Sequence, residues 1–426
     1  MSVTTAGKAI SASVASRAGE MTDLLVELVR APTVSGDEPA AEPVFASWFA
    51  ERGWQLDRQI LAGTAMAESA RGAAEPRLAA RANLTGWYGR PCGRPVLSVN
   101  AHYDVVPVID EEDWTDPPFA GTARGGAVFG RGAVDNKGGC VAALFALQAL
   151  ADAGVELPFD VAVEFVAAEE TTGVGTVASL EQPWPRLAAI VMEPTQNAVV
   201  TANSGAVFFT VGIDGRAVHT SVPWRGEDAL RKLVAVYEAL HRFGDERAAS
   251  CSHPLMTHLP SPVPLVVGKF QGGGWRAALP AHATMSGRVG VLPGEPVSAV
   301  KEAVEGILAE VADGDEWLRA NPPKLTWDND GLSGWEMPLE HPLVEAMSAG
   351  RGSVGLPARF EGLTTGCDAG TLRRAGVPVV VFGPGDLARA HSPNEYVLET
   401  EVTEAAVILA NALVAAGERF VAGDWS

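Results

Sequence analysis

The stretch that most restricts the fold is Cys140–Ala151, which reads as a helix apolar on nearly every face. A helix with no polar face has to be covered on all sides, which places it inside a layered domain. Short apolar runs surround it in the chain. Pro95–Val99, Asp160–Ala167 and Ala188–Met192 read as buried strands. Helical spacing appears at Arg17–Arg30, where Pro32 stops it, and at Ala40–Arg52. Strands alternating with helices are the pattern of an α/β layer. With 426 residues the chain exceeds one compact core, and two or three domains are expected.

Composition shifts after Asn203. Ala206–Ile213 alternates as a strand, Asp228–Phe243 reads as a helix, and strands follow at Val263–Phe270 and Ala283–Val291. A helix over Val297–Ala312 and a short strand at Lys324–Trp327 complete a β-α-β-β-α-β order, the ferredoxin-like arrangement. Helix and strand alternation then resumes with a helix from His341 to Gly350, a strand at Val377–Phe382 and a helix from Glu401 to Arg419. The expected organisation is an α/β domain with a mostly parallel sheet, residues 1–203 and 332–426, interrupted by an α+β insert over residues 204–331. The Ala-rich loop between Ala62 and Pro76 carries no readable role.

Charge narrows the partners. The formal net charge of −20 argues against nucleic acid or an anionic membrane and leaves carboxylates available for a cationic ligand. Nothing reads as a signal peptide, and no stretch reaches the roughly 18 apolar residues of a membrane span. Cys92, Cys140, Cys251 and Cys367 are widely spread with no C-x-x-C pair, which suits a reducing cytoplasm.

The chemistry-bearing residues cluster at strand ends. His102 closes the first apolar run and Asp104 follows two residues later. In an extended chain these share a face, so the carboxylate is expected beside the imidazole, fixing its tautomer. Taken alone, the pair is an ordinary surface His with an acidic neighbour. Asp135 lies in the Gly-rich loop Gly130–Gly139. It reads either as a helix cap or, with glycines allowing close backbone approach, as a carboxylate that bridges two cations. Glu169 and Glu170 end the next strand, Glu193 ends the one after it, and His391 sits in a turn-rich loop behind another. Open α/β sheets collect ligands at the carboxyl ends of their strands, so the coincidence means more than any single residue. His219, in Gly215–Ser221, is either a satisfied surface histidine or an electrophilic donor. His253 and His258 lie in a Pro-rich loop and read as structural. The Thr364–Asp368 loop is expected to reach the site, with Cys367 either a reactive thiol or, as the preferred reading, a buried structural one.

Together these stretches resemble the metallopeptidase-20 family, which includes acetylornithine deacetylase, succinyl-diaminopimelate desuccinylase, aminoacylase and glutamate carboxypeptidase. The matching stretches are His102–Pro107, Gly130–Gly139, Glu169-Glu170, Glu193-Pro194-Thr195, Gly215–Ser221 and Ala390-His391-Ser392, in the family's order. The resemblance implies a catalytic domain with two divalent metal ions, zinc or cobalt, interrupted by a lid domain that forms a homodimer. It implies His102 and Glu193 on one metal, Glu170 and His391 on the other, Asp135 bridging, and Asp104 behind His102. Glu169 matches the general base, and His219 the group that stabilises the oxyanion. The substrate is then an N-acyl amine or a short peptide: an acetylornithine-deacetylase-like reaction, with a dipeptidase or carboxypeptidase as the nearest alternative and a catalytically silent metal-binding scaffold as the remaining one. Two departures bear on substrate. Where many members carry an Asn and a carboxylate-gripping Arg in the lid, this chain has Ala277 and Gly290; Arg288, two residues earlier on the same strand face, is the candidate replacement. Trp275, Arg288 and Asp368 are the expected substrate contacts.

Overall fold

The computed structural model describes residues 3–89, 91–328 and 330–425. The chain forms two compact units, one of Met1–Thr201, Met337–Phe360 and Cys367–Ser426, the other of Ala202–Glu336 and Glu361–Gly366. The short segment Glu361–Gly366 therefore belongs with the insert, far along the chain from the rest of it.

In chain order the strands of the first unit are β1 Leu56–Ile60, β2 Ala82–Trp87, β3 Val96–His102, β4 Thr122–Arg124, β5 Ala127–Phe129, β6 Asp160–Val166, β7 Arg186–Met192 and β8 Val199–Asn203. The insert contributes β9 Gly205–Asp214, β10 Leu265–Gly272, β11 His282–Val291, β12 Lys324–Trp327 and β13 Trp335–Glu336. After β14, Phe360–Leu363, the first unit resumes with β15 Val379–Phe382 and β16 Tyr396–Leu398.

The main sheet runs β1-β2-β6-β3-β7-β15-β8. Its centre is parallel: β3 pairs with β6 and β7, and β7 with β15. These strands are buried almost throughout, which explains why they read as continuous apolar runs. Parallel pairing has a direct consequence for the site. His102 lies opposite Val166 and Met192 opposite Phe382, so the residues that follow β3, β6, β7 and β15 all leave at one sheet edge.

The all-apolar segment forms the helix Gly138–Asp152, buried from Gly138 to Leu150. It packs against the terminal helix Glu399–Ala422 and against Val3–Ser16. The terminal helix is long and apolar enough to cross a membrane by composition, which the count of continuous apolar residues missed; most of it is buried in this unit. The helix Val3–Ser16 was not expected either. Its buried stripe, Ala6, Ile10 and Val14, repeats every four residues but is hidden among Ala, Ser and Gly.

The Ala-rich loop resolves into tight turns at Leu61–Gly63 and Ala65–Glu68 and a short helix, Ala70–Ala74, capped by Ser69. Asp135 is not a helix cap. The helix begins three residues later, with no side-chain cap, and Asp135 lies in the turn before it.

The insert has the expected ferredoxin-like order, β10-β11-β9-β12, all antiparallel. Val207, Phe209, Val211 and Ile213 alternate toward its core, which is closed by Leu233, Val236 and Leu240 of the helix Ala229–Ser250 and by Val300, Val304 and Leu308 of Val297–Asp313.

Candidate metal centre

His102 ends the central strand β3, and its side chain is 2% exposed. Its Nδ1 lies 3.0 Å from the carbonyl oxygen of Asp104. A carbonyl only accepts, so Nδ1 carries a proton, and Nε2 is the atom turned toward the site. Nε2 is 2.8 Å from Asp135 Oδ1 and 3.9 Å from Glu193 Oε1.

Asp104 stands beside the imidazole as expected, though its closer contact is through the backbone. Its carboxylate Oδ1 stands 3.6 Å from the imidazole Nδ1, and the hydrogen bond goes to its backbone. The cause is that β3 ends at His102, so the two-residue repeat lapses there. The carboxylate instead accepts from Ser35 Oγ at 2.7 Å and from the amides of Glu169 and Glu170 at 3.1 and 3.3 Å. It holds the turn that carries the next two site residues.

That turn follows β6. Ala168 adopts φ +63, a left-handed conformation unfavourable for a residue with a Cβ, and its carbonyl accepts the Gly173 amide at 2.7 Å. Glu170 Oε1 reaches His391 Nε2 at 3.1 Å. No donor engages the Glu169 carboxylate among the described residues; burial pushes its pKa well up, and Glu193, Asp368 and Glu170 add to that against the opposing effect of His102.

Asp135 lies between the two imidazoles. Oδ1 faces His102, and Oδ2 is 3.3 Å from His391 Nε2. The Asp135–Asn136 peptide is cis. Glu395, four residues beyond His391, accepts the amides of Val134 and Asp135 on Oε1 at 3.1 and 3.3 Å, and its Oε2 pairs with Arg131 at 2.6 Å. Asn136 donates to the Met192 carbonyl, tying this turn to the strand end that carries Glu193.

His102, Asp135 and Glu170, and likewise His102, Glu169 and Glu193, each present ligand atoms within 4.8 Å of one another. Four carboxylates thus meet two imidazoles. Burial raises Glu193 and Glu170, and neighbouring carboxylates push the same way. Burial opposes charging His102, yet Asp104 and Asp135 hold its pKa well above the ordinary value; His391 is pushed up to about 10 by its hydrogen bonds to Asp135 and Glu170. Such a surplus of negative charge around nitrogen donors fits divalent cations.

Asp368 is also here: it accepts from Thr176 Oγ1 at 2.6 Å, and burial lifts it to about 6. The neighbouring Cys367 thiol is held well above its usual range, first by burial and then by Glu193 and Glu169, as an unreactive thiol should be.

The other three residues singled out in the sequence lie in the second unit. His219 Nδ1 accepts the Ser221 amide at 3.1 Å and meets Ser221 Oγ at 2.7 Å. An amide only donates, so the His219 proton resides on Nε2. The segment bearing the exposed Trp275 runs beside it, through the Thr220 amide to the Ala277 carbonyl. Arg288 donates from Nη2 to the Thr364 carbonyl at 2.8 Å, anchoring the Glu361–Gly366 segment. Gly290 is closed to any side chain: a Cβ there would lie 2.6 Å from Val263 Cα.

Sequence reasoning missed Ser35, Arg131 and Glu395, which hold the site without lining up in any local pattern. Arg131 and Glu395 had a signal, each lying four residues from a site residue, Asp135 and His391 respectively.

Comparison with known proteins gives a consistent answer. Residues 98–415 match the family model described as peptidase family M20/M25/M40. An N-formyl-4-amino-5-aminomethyl-2-methylpyrimidine deformylase of Bacillus subtilis is 27% identical over 336 residues, 75% of this chain and 78% of its own length. Among solved structures, the dipeptidase Dug1p of Saccharomyces cerevisiae superimposes with a TM-score of 0.73 at 15% identity, over 97% of this chain and 99% of that one. The Bacillus subtilis YXEP protein, described as a dinuclear metal-binding peptidase, gives 0.63 at 16% identity, over 95% and 99%.

Proposed function

The chain belongs to peptidase family M20/M25/M40, whose members are metal-dependent hydrolases of amide bonds, and we propose that it removes a small acyl group from an N-acyl amine. The observation that carries the reading is Asp135, whose two oxygens divide between the His102 and His391 imidazoles. That division supports two cations, one held by His102 and Glu193, the other by Glu170 and His391, with Asp135 shared. Nitrogen and carboxylate donors suit zinc, with cobalt the alternative. Bound there, divalent cations would polarise the scissile carbonyl and acidify the attacking water.

The remaining steps belong to the chain's own groups. Glu169 takes the proton from the attacking water and passes it to the leaving amine, since its carboxylate is committed to no donor. Asp104 fixes the direction of Glu169 and Glu170 through their amides. His219, with its proton on Nε2, is assigned as donor to the oxyanion formed from the substrate carbonyl. Glu169→Gln should lower kcat by about 10²- to 10⁴-fold with metal content unchanged; hydrolysis at the wild-type rate would remove Glu169 from the mechanism.

Substrate choice rests on the insert. Ala277 and Gly290 stand where the resemblance leads one to expect an Asn and a carboxylate-binding Arg, and Gly290 has no room for a side chain, so a substrate without an α-carboxylate fits. Arg288, with one Nη on Thr364 and its Nε unpaired among the described residues, is the group left to meet a carboxylate if there is one. The deformylase relative supports a small acyl group. A dipeptidase is the second reading, supported by the overall likeness to Dug1p. Assaying zinc- and cobalt-loaded protein on N-formyl, N-acetyl and N-succinyl amines alongside dipeptides separates them, and cleavage of dipeptides alone would overturn the acyl-amine reading. We assign the protein to the cytoplasm, on the spacing of its cysteines, and to a homodimer through the insert; sedimentation as a monomer would refute the latter.

A further inference from the structure

The Glu169–Glu170 pair is followed by two threonines whose hydroxyls donate to a single oxygen. Thr171 and Thr172 Oγ1 lie 2.5 and 2.6 Å from Glu75 Oε1. Glu75 comes from the Ala-rich stretch, directly after the short helix Ala70–Ala74. Its other oxygen pairs with Arg81, whose Nη2 and Nε both engage Glu38, the latter at 2.7 Å. The Arg81 and Glu38 side chains are wholly buried and Glu75 nearly so. Glu38 in turn accepts the Gly36 amide at 3.2 Å, beside Ser35, which donates to Asp104. The turn at residues 168–173 is thus held twice: Asp104 takes the amides of Glu169 and Glu170, and Glu75 takes the two hydroxyls that follow.

A buried guanidinium between two carboxylates is a poor device for stability alone, because well-packed apolar side chains serve as well or better. Such a network can instead specify geometry, and here it ends on the turn whose first residue, Ala168, is held left-handed. Burial pushes the Glu75 carboxyl up, but the two hydroxyls and Arg81 outweigh it and keep the group ionised, an acceptor only.

We propose that Glu75 is a positioning residue for the hydrolytic reaction: through Thr171 and Thr172 it sets the turn that aims Glu169 and Glu170. The proposal rests on the assignment of those two glutamates as base and ligand. The test is the double variant Thr171→Val/Thr172→Val, which removes both hydroxyls, preserves side-chain shape and leaves the Arg81 pairs intact. In the metal-loaded enzyme kcat should fall about 10- to 100-fold, the range typical of residues that orient metal-site groups, with KM unchanged within about twofold. Hydrogen exchange at the amides of residues 169–173 should quicken at least about tenfold, while the rest of the first unit keeps its protection. Thr171→Ser/Thr172→Ser, which restores both hydroxyls, should restore both readouts. Glu75→Gln should loosen the same amides. Wild-type exchange in the valine variant, or loosened amides with wild-type kcat, overturns the proposal. If instead the hydrolytic reading is at fault, the wild-type protein itself fails to cleave acyl amines and peptides while its 169–173 amides remain protected.

Discussion

His102 and His391 offer the same atom, Nε2, to opposite oxygens of one carboxylate, yet they are built in different ways. His102 closes the central strand of a parallel sheet, is almost fully buried, and has Nδ1 fixed by a backbone carbonyl. His391 lies in a loop, adopts φ +58, and leaves 52% of its side chain exposed. What ties its loop to the site is Glu395, four residues further on, through the amide of Asp135 and Arg131. One half of the centre therefore inherits its geometry from the sheet; the other depends on a loop and a buried ion pair. The two proposed cation positions should differ accordingly, the sheet-built one tighter and less exchangeable.

The largest effect should come from the sheet side. His102→Ala removes the donor around which both carboxylate groupings form, and it should lower kcat at least about 10³-fold while cutting bound zinc, measured by atomic emission, to less than one per chain. His391→Ala should be milder in metal content and rate: one zinc retained of two and kcat down about 100-fold. The metal-free protein should melt lower, because Asp135 and Glu170 lose the imidazole they pair with. If His391→Ala loses both cations, or His102→Ala keeps one in place, the contrast between sheet-built and loop-built halves is wrong. Glu395→Gln sharpens it. Loosening the link between the His391 loop and the Asp135 turn should reduce affinity for the more weakly held cation by about 10-fold and for the tighter one by less, since Asp135 would serve both, read by stepwise chelator titration.

The same contrast governs what was legible in the chain. His102, Glu170 and Glu193 stand out because parallel strands deliver their carboxyl ends to one edge, so the apolar run and its terminating polar residue mark the site locally. The ferredoxin-like order of the insert was readable for a similar reason: Val207, Phe209, Val211 and Ile213 keep the two-residue period. Asp104 was legible as the carboxylate beside His102, at 3.6 Å, but not as the acceptor that holds the Glu169 and Glu170 amides. Glu38, Glu75 and Arg81 were invisible: an ion network joining residues 38, 75 and 81 to 171 and 172 leaves no period and no motif. The helix Val3–Ser16 was missed because its buried stripe includes only two large side chains, Ile10 and Val14.

A third histidine sets the smallest test. His341 precedes the helix Pro342–Ser353 and caps it, Nδ1 accepting the Leu343 amide at 3.1 Å. Among the described residues no carboxylate pairs with it. Burial, and then the charge of Arg373, hold its pKa below the ordinary value of 6.5, opposite to the direction at His102 and His391. A folded-state pKa lowered in this way means the unfolded chain binds the proton more readily, so this contribution to stability is present above pH 6.5 and is lost as pH falls through the folded value. Protonation also removes the lone pair that the cap requires. His341→Asn keeps a capping oxygen and does not titrate. Its melting temperature should match wild type near pH 8 and decline less steeply between pH 6.5 and 5, a difference worth less than about 1 kcal/mol. Because the metal-site groups titrate equally in both proteins, the difference between the two curves isolates His341. Superimposable acid limbs would mean that the direction of a histidine's shift here is not set by whether carboxylates or a guanidinium face it.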